Sequence, residues 1–209
     1  MATPHSWRVK AIAILIGILL PLGAAEVWLR LTGFSYPIFF SADPVTGNMH
    51  RPYVEGWYRE EGEAYVTINS AGLRDREHAT AKPAGVVRIL VLGDSYAEAL
   101  QVPMEQTFWA VLERELNACH AFGQNVVEVI NLGVSGYGTA QELLALRTWG
   151  WAYQPDIVLL AFLTGNDISD NSKELNILSS TPRPYFIQAD ADLVLDQSFL
   201  STATYKQKT

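Results

Sequence analysis

Residues 86–95 read Val-Val-Arg-Ile-Leu-Val-Leu-Gly-Asp-Ser, a nearly unbroken run of β-branched and aliphatic side chains that ends in a polar turn. Runs of this kind are typical of strands that are buried on both faces of a parallel sheet. The sequence Lys-Pro-Ala-Gly at 82–85 interrupts any regular structure before the run. We therefore expect the core domain to start at residue 84 and to extend to residue 209.

Downstream of this strand, helical and strand patterns alternate. Apolar side chains spaced over 108–116 predict a helix, and residues 126–130 predict a second strand. The residues Thr-Ala-Gln-Glu at 139–142 match a capping box at the start of another helix, and residues 156–162 predict a third strand. This alternation predicts an α/β domain with a parallel sheet covered on both faces, which binds ligands at the carboxyl ends of its strands. A surface hairpin is predicted at 185–195.

The chain before the core domain consists of an apolar segment and an aromatic-rich lead-in. Residues 11–25 carry no charge and follow Arg8 and Lys10, as in a membrane anchor or a secretory signal. Small residues near position 24 leave cleavage open, but the apolar character continues to Leu31 and favours a retained transmembrane anchor over residues 1–32. The basic flank predicts that the rest is extracytoplasmic, periplasmic or extracellular. The lead-in covers residues 33–83, with one short strand predicted at 64–68.

Composition excludes several classes of function. Among 209 residues, 15 Lys and Arg face 22 Asp and Glu, and the scattered charges offer no basic patch to a nucleic acid. The single cysteine, Cys119, excludes an intrachain disulfide and a cysteine-built zinc cluster. No metal-ligand cluster and no nucleotide-binding glycine motif is found, so no cofactor is expected.

Three polar, glycine-containing loops follow the three predicted strands, at 93–96, 131–138 and 163–167. Because the carboxyl ends of parallel strands lie at one edge of a sheet, all three loops could meet at one crevice. A serine on the first turn is placed for nucleophilic attack, and a close glycine backbone with the amide of Asn166 would form an oxyanion hole. Ser135 lies outside any Gly-x-Ser-x-Gly elbow and is interpreted as a loop residue.

These loops resemble, in order, the first three signature blocks of the SGNH/GDSL hydrolases, which are serine esterases and acyl hydrolases. The resemblance covers about residues 84–178 and implies a three-layer αβα sandwich with a flavodoxin-like parallel sheet. It implies that Ser95 is the nucleophile and that Gly133 and Asn166 join the Ser95 N–H in the oxyanion hole. The residues that would support this site are Gly93, Asp94, Gly165 and Asp167.

The histidine base of that family belongs to a closing Asp-x-x-His block, and no histidine follows Asp167. Residues 75–78, Asp-Arg-Glu-His, have the spacing but precede the first core strand. Two explanations are open. Either the chain is the N-terminal part of a longer enzyme whose base lies beyond residue 209, or it is a non-catalytic binding or envelope-assembly protein. Only three strands are predicted where such a sheet usually has about five, which favours the first explanation.

The sequence therefore predicts an exported SGNH-type serine hydrolase that is held at the membrane by its N-terminal helix. Its expected substrate is an acyl ester, cleaved or transferred, on a small molecule or on a glycan or lipid of the cell envelope. Without a histidine base, residues 1–209 alone are expected to show little activity.

Overall fold

The computed structural model describes residues 4–32, 37–176 and 181–207. The chain forms two compact units, Met1–Tyr36 and Pro37–Thr209. In the first unit, helix α1 spans Pro4–Leu31. Its segment Trp7–Leu31 has a mean hydropathy of 2.2 over its most apolar window and is long and apolar enough to cross a membrane. The predicted apolar helix is thus confirmed.

The second unit begins with two β-hairpins. Strands β1 (Phe40–Asp43) and β2 (Gly47–His50) pair antiparallel, and so do β3 (Glu55–Tyr58) and β4 (Ala64–Thr67). The predicted strand at 64–68 is confirmed as β4, whereas the other three strands were not predicted. All four strands have four residues, but only β4 alternates strictly between buried and exposed side chains, which is the pattern that a sequence can show.

The lead-in contributes to the interior of the second unit. Phe39, Val66 and Ile68 are buried and pack with Leu100, which follows the first strand of the core sheet. The hairpins therefore share a hydrophobic cluster with the chain segment next to the predicted nucleophile.

A parallel three-stranded sheet follows and confirms the predicted alternation. Its central strand pairs with both others, in the order β6-β5-β7. Arg88 lies opposite Glu128 in one pairing, and Leu90 lies opposite Val158 in the other. In chain order the elements are β5 (Val86–Gly93), α2 (Ser95–Glu98), α3 (Phe108–Ala118), β6 (Val126–Asn131), α4 (Thr139–Thr148), β7 (Ile157–Ala161) and α5 (Asp167–Asp170).

The central strand β5 is buried on both sides, as its sequence predicted. Ile89 and Val91 pack in one cluster with Trp109 of α3. The alternate residue Leu90 packs in a second cluster with Tyr153, which follows α4. This division follows from the two-residue period of a strand, because successive side chains point to opposite faces.

Strand β7 is an edge strand in the described part of the sheet. It pairs with β5, and its side chains Ile157, Val158 and Leu160 remain 38%, 36% and 42% exposed. The sheet therefore presents apolar surface along this edge.

The predicted capping box at 139–142 is wrong by one residue. The N-cap of α4 is Gly138, whose N–H donates to Gln141 Oε1 at 3.2 Å. Thr139 lies inside the helix, where its Oγ1 accepts from Asn171 Nδ2 at 3.1 Å. Glu142, assigned to capping from the sequence, is buried instead. Gly138 leaves room for the α5 segment, since a Cβ atom added there would lie 3.0 Å from Asp170 Cβ.

The C-terminal part forms a hairpin followed by short helices. Strands β8 (Tyr185–Ala189) and β9 (Asp192–Asp196) pair antiparallel and confirm the predicted hairpin. A 3₁₀ turn and α6 (Ala203–Lys206) were not predicted. They are held by the edge-to-face contact of Phe199 with Tyr205, whose ring centroids lie 5.3 Å apart.

Candidate active site

The three predicted loops meet at the carboxyl ends of β5, β6 and β7. Asp94, directly after β5, accepts a hydrogen bond from Asn166 Nδ2 of the third loop at 3.0 Å. Val134 of the second loop donates its N–H to the Gly93 carbonyl at 3.1 Å. Because the chain passes from β5 to one neighbour and then to the other, this is the point where the strand order reverses. Open parallel sheets bind their ligands at such points.

Ser95 is the first residue of α2 and is half-buried. Asp94 caps the turn, since its Oδ1 accepts from the Tyr96 N–H at 2.9 Å. Within the residues that the structure describes, no hydrogen bond engages the Ser95 hydroxyl. The side chain is therefore available to a ligand in the crevice.

Gly93, a predicted supporting residue, and Gly133, a predicted oxyanion donor, allow the loops to approach α2 closely. A Cβ atom added to Gly93 would lie 2.7 Å from Ala97 Cβ, and one added to Gly133 would lie 2.6 Å from the same atom. Gly133 would also meet the backbone nitrogen of Glu98 at 2.8 Å. At Gly165, by contrast, the nearest atom is Leu163 Cγ at 3.9 Å, so the structure gives no steric reason for glycine there.

Two of the predicted oxyanion donors are engaged by the protein itself. The Gly133 N–H donates to Asn131 Oδ1 at 3.0 Å. Asn166 Nδ2 donates to Asp94 Oδ2 at 3.0 Å and to Asp170 Oδ2 at 3.3 Å, which uses both of its hydrogens. A bound oxyanion would have to replace these acceptors. The structure thus brings the predicted residues close to one another, but these two donors form hydrogen bonds within the protein.

Asp170 and Arg183 belong to this network and were missed from the sequence. The side chain of Arg183 is 4% exposed, and its Nη1 lies 3.1 Å from Asp170 Oδ1. Since Asp170 also accepts from Asn166, the guanidinium holds the carboxylate that orients the predicted oxyanion amide. Arg183 stands between two prolines outside the three loops, and no local pattern marks it.

The third predicted loop is fixed by Asp167, which is fully buried. Its Oδ2 accepts from the Leu163 N–H at 2.5 Å, which closes the loop on itself. Burial raises the pKa of Asp167, the Leu163 hydrogen bond opposes this, and the charge of Asp94 adds to the rise, so that the net shift is upward. Asp167 therefore has a structural contact of the kind expected for a supporting residue.

The carboxyl group of Glu142 interacts electrostatically with Asp167 and Asp94. Its residue is 1% exposed, and neither carboxyl oxygen has a hydrogen-bond partner. Burial, together with the charges of Asp167 and Asp94, raises the pKa of Glu142 to about 8, so that it is mostly protonated at pH 7. In the described residues, no group of three or more His, Cys, Asp or Glu side chains is arranged to hold a metal ion.

A second buried polar chain runs from the second loop to the lead-in. Ser135, interpreted from the sequence as a loop residue, donates from its Oγ to Glu98 Oε2. The other oxygen of Glu98 contacts His50 Nε2, and His50 Nδ1 lies 3.1 Å from the Gly72 carbonyl. Because a carbonyl can only accept, His50 Nδ1 carries a proton. His50 thus links the lead-in to the helix that starts at Ser95, and it is not in contact with the Ser95 hydroxyl.

His78, the alternative base, is held in a separate network. Its Nδ1 lies 2.7 Å from Glu128 Oε1 and its Nε2 lies 3.1 Å from Asp75 Oδ2. Arg88 completes the group, with its Nε 2.6 Å from Glu128 Oε2. The His78 side chain is fully buried between these carboxylates. The structure gives it the contacts of a buried ion-pair network and no contact with Ser95.

A comparison of the chain with models of known protein families finds no match, and a search of curated proteins finds none either.

Proposed function

We propose that the protein is an SGNH-type serine hydrolase that forms an acyl-enzyme on Ser95. The substrate class is an acyl ester, and the acyl group passes to water or to another acceptor. The proposal extends to the fold, in which the three-stranded sheet would be part of a flavodoxin-like sandwich. It also extends to location, with α1 as a membrane anchor and the second unit on the extracytoplasmic side.

The observation that carries the proposal is the meeting of three loops at the point where the strand order reverses. Ser95 stands there on a tight turn and is half-buried, and its hydroxyl makes no hydrogen bond to any residue that the structure describes. Gly133 packs its backbone against the same turn, and Asn166 is joined to it through Asp94. A tetrahedral oxyanion formed next to Ser95 could accept hydrogen bonds from the Gly133 N–H and the Asn166 amide once these donors release their present acceptors.

A serine hydroxyl needs a base to remove its proton as it attacks. His50 and His78 bind Glu98 and Glu128 respectively, so neither serves Ser95 in the described arrangement. We therefore expect the chain to react slowly alone and faster with free imidazole, which can act as the missing base in solution.

The test is labelling of the full chain with a fluorophosphonate probe, with and without imidazole, followed by peptide mass spectrometry. The serine oxygen bonds to phosphorus, fluoride leaves, and imidazole takes the hydroxyl proton. We expect the label on Ser95, increased by imidazole and abolished in Ser95→Ala. Ser135→Ala is the matched control, because it removes a half-buried serine from the neighbouring loop. Label on Ser135, or unchanged labelling in Ser95→Ala, would contradict the proposal.

The second candidate function is a non-catalytic binding or envelope-assembly protein that uses the same crevice. The observation in its favour is that Gly133 and Asn166 already donate to Asn131, Asp94 and Asp170. In that case, a folded chain would show no probe on Ser95 even at high imidazole concentration. The labelling experiment therefore separates the two functions.

A further inference from the structure

A cavity of about 320 Å³ lies between the lead-in and the C-terminal half of α4. Its walls come from three places: residues 71–73 of the lead-in, Leu132 and Val134 of the second loop, and Trp149 at the end of α4. None of the predicted site residues lines it. It is thus a second concave site, next to the loop that carries Gly133 but separate from Ser95.

The walls of the cavity are uncharged and mostly aliphatic or aromatic. Two of the polar groups in the wall already have protein partners. The Gly72 carbonyl faces His50 Nδ1 at 3.1 Å, and the Tyr137 hydroxyl donates to the Asn48 carbonyl at 2.9 Å. An apolar cavity in which these two buried polar groups already have partners holds water poorly and favours hydrocarbon.

The mouth of the cavity is marked by the lining residues that are exposed to solvent, Ala71, Thr80, Thr148 and Ala152. The two threonines offer neutral hydroxyl groups that can hydrogen-bond to the polar end of a ligand. Tyr153 also lines the cavity and is buried. Because the lining carries no charged side chain that could pair with a carboxylate, an uncharged polar end is favoured.

The volume fits a chain of moderate length. About 320 Å³ is roughly twice the 150 Å³ engineered cavity that stays dry and binds benzene. It lies at the lower end of the range for small-molecule pockets, which is about 300–1,000 Å³. This volume is large enough for a medium-length alkyl chain, and the apolar walls with two exposed threonines suit such a chain with a polar end.

We propose that this cavity binds the uncharged aliphatic chain of a medium-chain alcohol or acyl ester. The aliphatic chain of the ligand packs among Leu132, Val134 and Trp149. Its polar end hydrogen-bonds to Thr80 and Thr148 at the mouth. This inference does not rest on the proposed hydrolase activity, since it concerns binding at a site that Ser95 does not line.

The experiment is isothermal titration of the full chain in lipid nanodiscs with hexan-1-ol, octan-1-ol and decan-1-ol, with empty nanodiscs as the blank. We expect saturable binding at one site, tightening about fourfold per added methylene until the cavity is full. Octanoyl glycerol is titrated in a parallel arm. Binding of both ligands assigns the site to chains with or without a glycerol head, and binding of octanol alone assigns it to free alcohols.

Ala152→Trp places a large ring at the mouth, and we expect it to weaken octanol binding at least tenfold. Ala118→Trp is the matched control, because Ala118 is exposed on α3 away from the cavity lining. Should Ala152→Trp fail to fold, Ala71→Trp closes the mouth from the lead-in side. No heat above the nanodisc blank, or equal affinity in the mouth variants and in Ala118→Trp, would overturn the inference.

Discussion

Glu142 shows how a single side chain sets a pH dependence. Its folded pKa of about 8 lies above its usual value of 4.5, because burial and two nearby carboxylates oppose ionisation. The folded state therefore binds more protons than the unfolded state between these values, and stability falls as the pH rises from 4.5 to 8. Below 4.5 the carboxyl is neutral in both states and this loss is absent.

Glu142→Gln removes the titrating carboxyl at similar volume. We expect the variant to be more stable than the parent by about 2–4 kcal/mol at pH 9, with a much smaller difference at pH 5. Urea unfolding of the full chain in nanodiscs, followed by tryptophan fluorescence from pH 5 to 9, measures both. A constant difference across this range would show that Glu142 does not titrate as described.

His78 titrates with the same sign for a different reason. Burial lowers its pKa, but the hydrogen bonds and charges of Asp75 and Glu128 outweigh burial and raise the pKa above its usual 6.5. The stabilisation is thus complete below pH 6.5 and is lost as the pH rises through the folded pKa. We expect His78→Gln to lower the free energy of unfolding at pH 6 by about 1.5–3 kcal/mol, the usual worth of a hydrogen bond to a charged group, and by less at pH 9, measured again by urea unfolding.

Glu128, in the same network, makes stability depend on pH on the acid side. Burial raises the pKa of Glu128, but the hydrogen bonds from His78 and Arg88 lower it by more than burial raises it. The net shift is therefore downward from 4.5. The stabilisation by Glu128 is therefore present above pH 4.5 and lost as the pH falls through the lower folded value. If the difference in stability between the parent and His78→Gln is the same at pH 6 and at pH 9, the assignment for His78 is wrong.

At the scale of elements, the packing of the second loop on α2 depends on Gly133. A methyl group there would stand 2.6 Å from Ala97 Cβ and 2.8 Å from the Glu98 nitrogen, and helix backbone cannot move aside cheaply. We expect Gly133→Ala to lower the free energy of unfolding by about 1–3 kcal/mol and to reduce probe labelling of Ser95. Thermal unfolding and the labelling assay measure the two effects.

Gly165→Ala is the matched control, since the nearest atom to its added Cβ is 3.9 Å away. We expect its stability to change by less than about 0.5 kcal/mol. Equal destabilisation by both substitutions would show that the fit against α2 is not the reason for glycine at 133.

The elements that the sequence predicted are those with long, regular patterns. β5 has eight residues that are largely buried, and its apolar run needed no tertiary information. Strands β1 to β3 lack the strict alternation of buried and exposed residues that made β4 recognisable at the same length of four residues. The N-cap of α4 is Gly138, where an added Cβ atom would lie 3.0 Å from Cβ of Asp170, and a contact across 32 residues leaves no local pattern in the sequence.

At the scale of the molecule, the meeting of the three loops was predictable because parallel strands place their carboxyl ends at one edge. The partners of the site residues were not. Asp94 bonds to Asn166 across 72 positions, and His50 bonds to Glu98 across 48. Such contacts depend on how hairpins and helices pack, and local patterns carry no signal for them.

The side of the membrane on which the second unit lies is also a property of the whole molecule. The basic residues Arg8 and Lys10 before the apolar helix predict that the second unit is extracytoplasmic. Cys119 is the chain's one cysteine, and it is free and exposed, so it reports the location of this unit without engineering. We expect a membrane-impermeant maleimide to label the full chain in intact bacterial cells, and Cys119→Ser to abolish the label. Labelling that appears only after cell lysis would place the unit in the cytoplasm and would contradict an exported hydrolase.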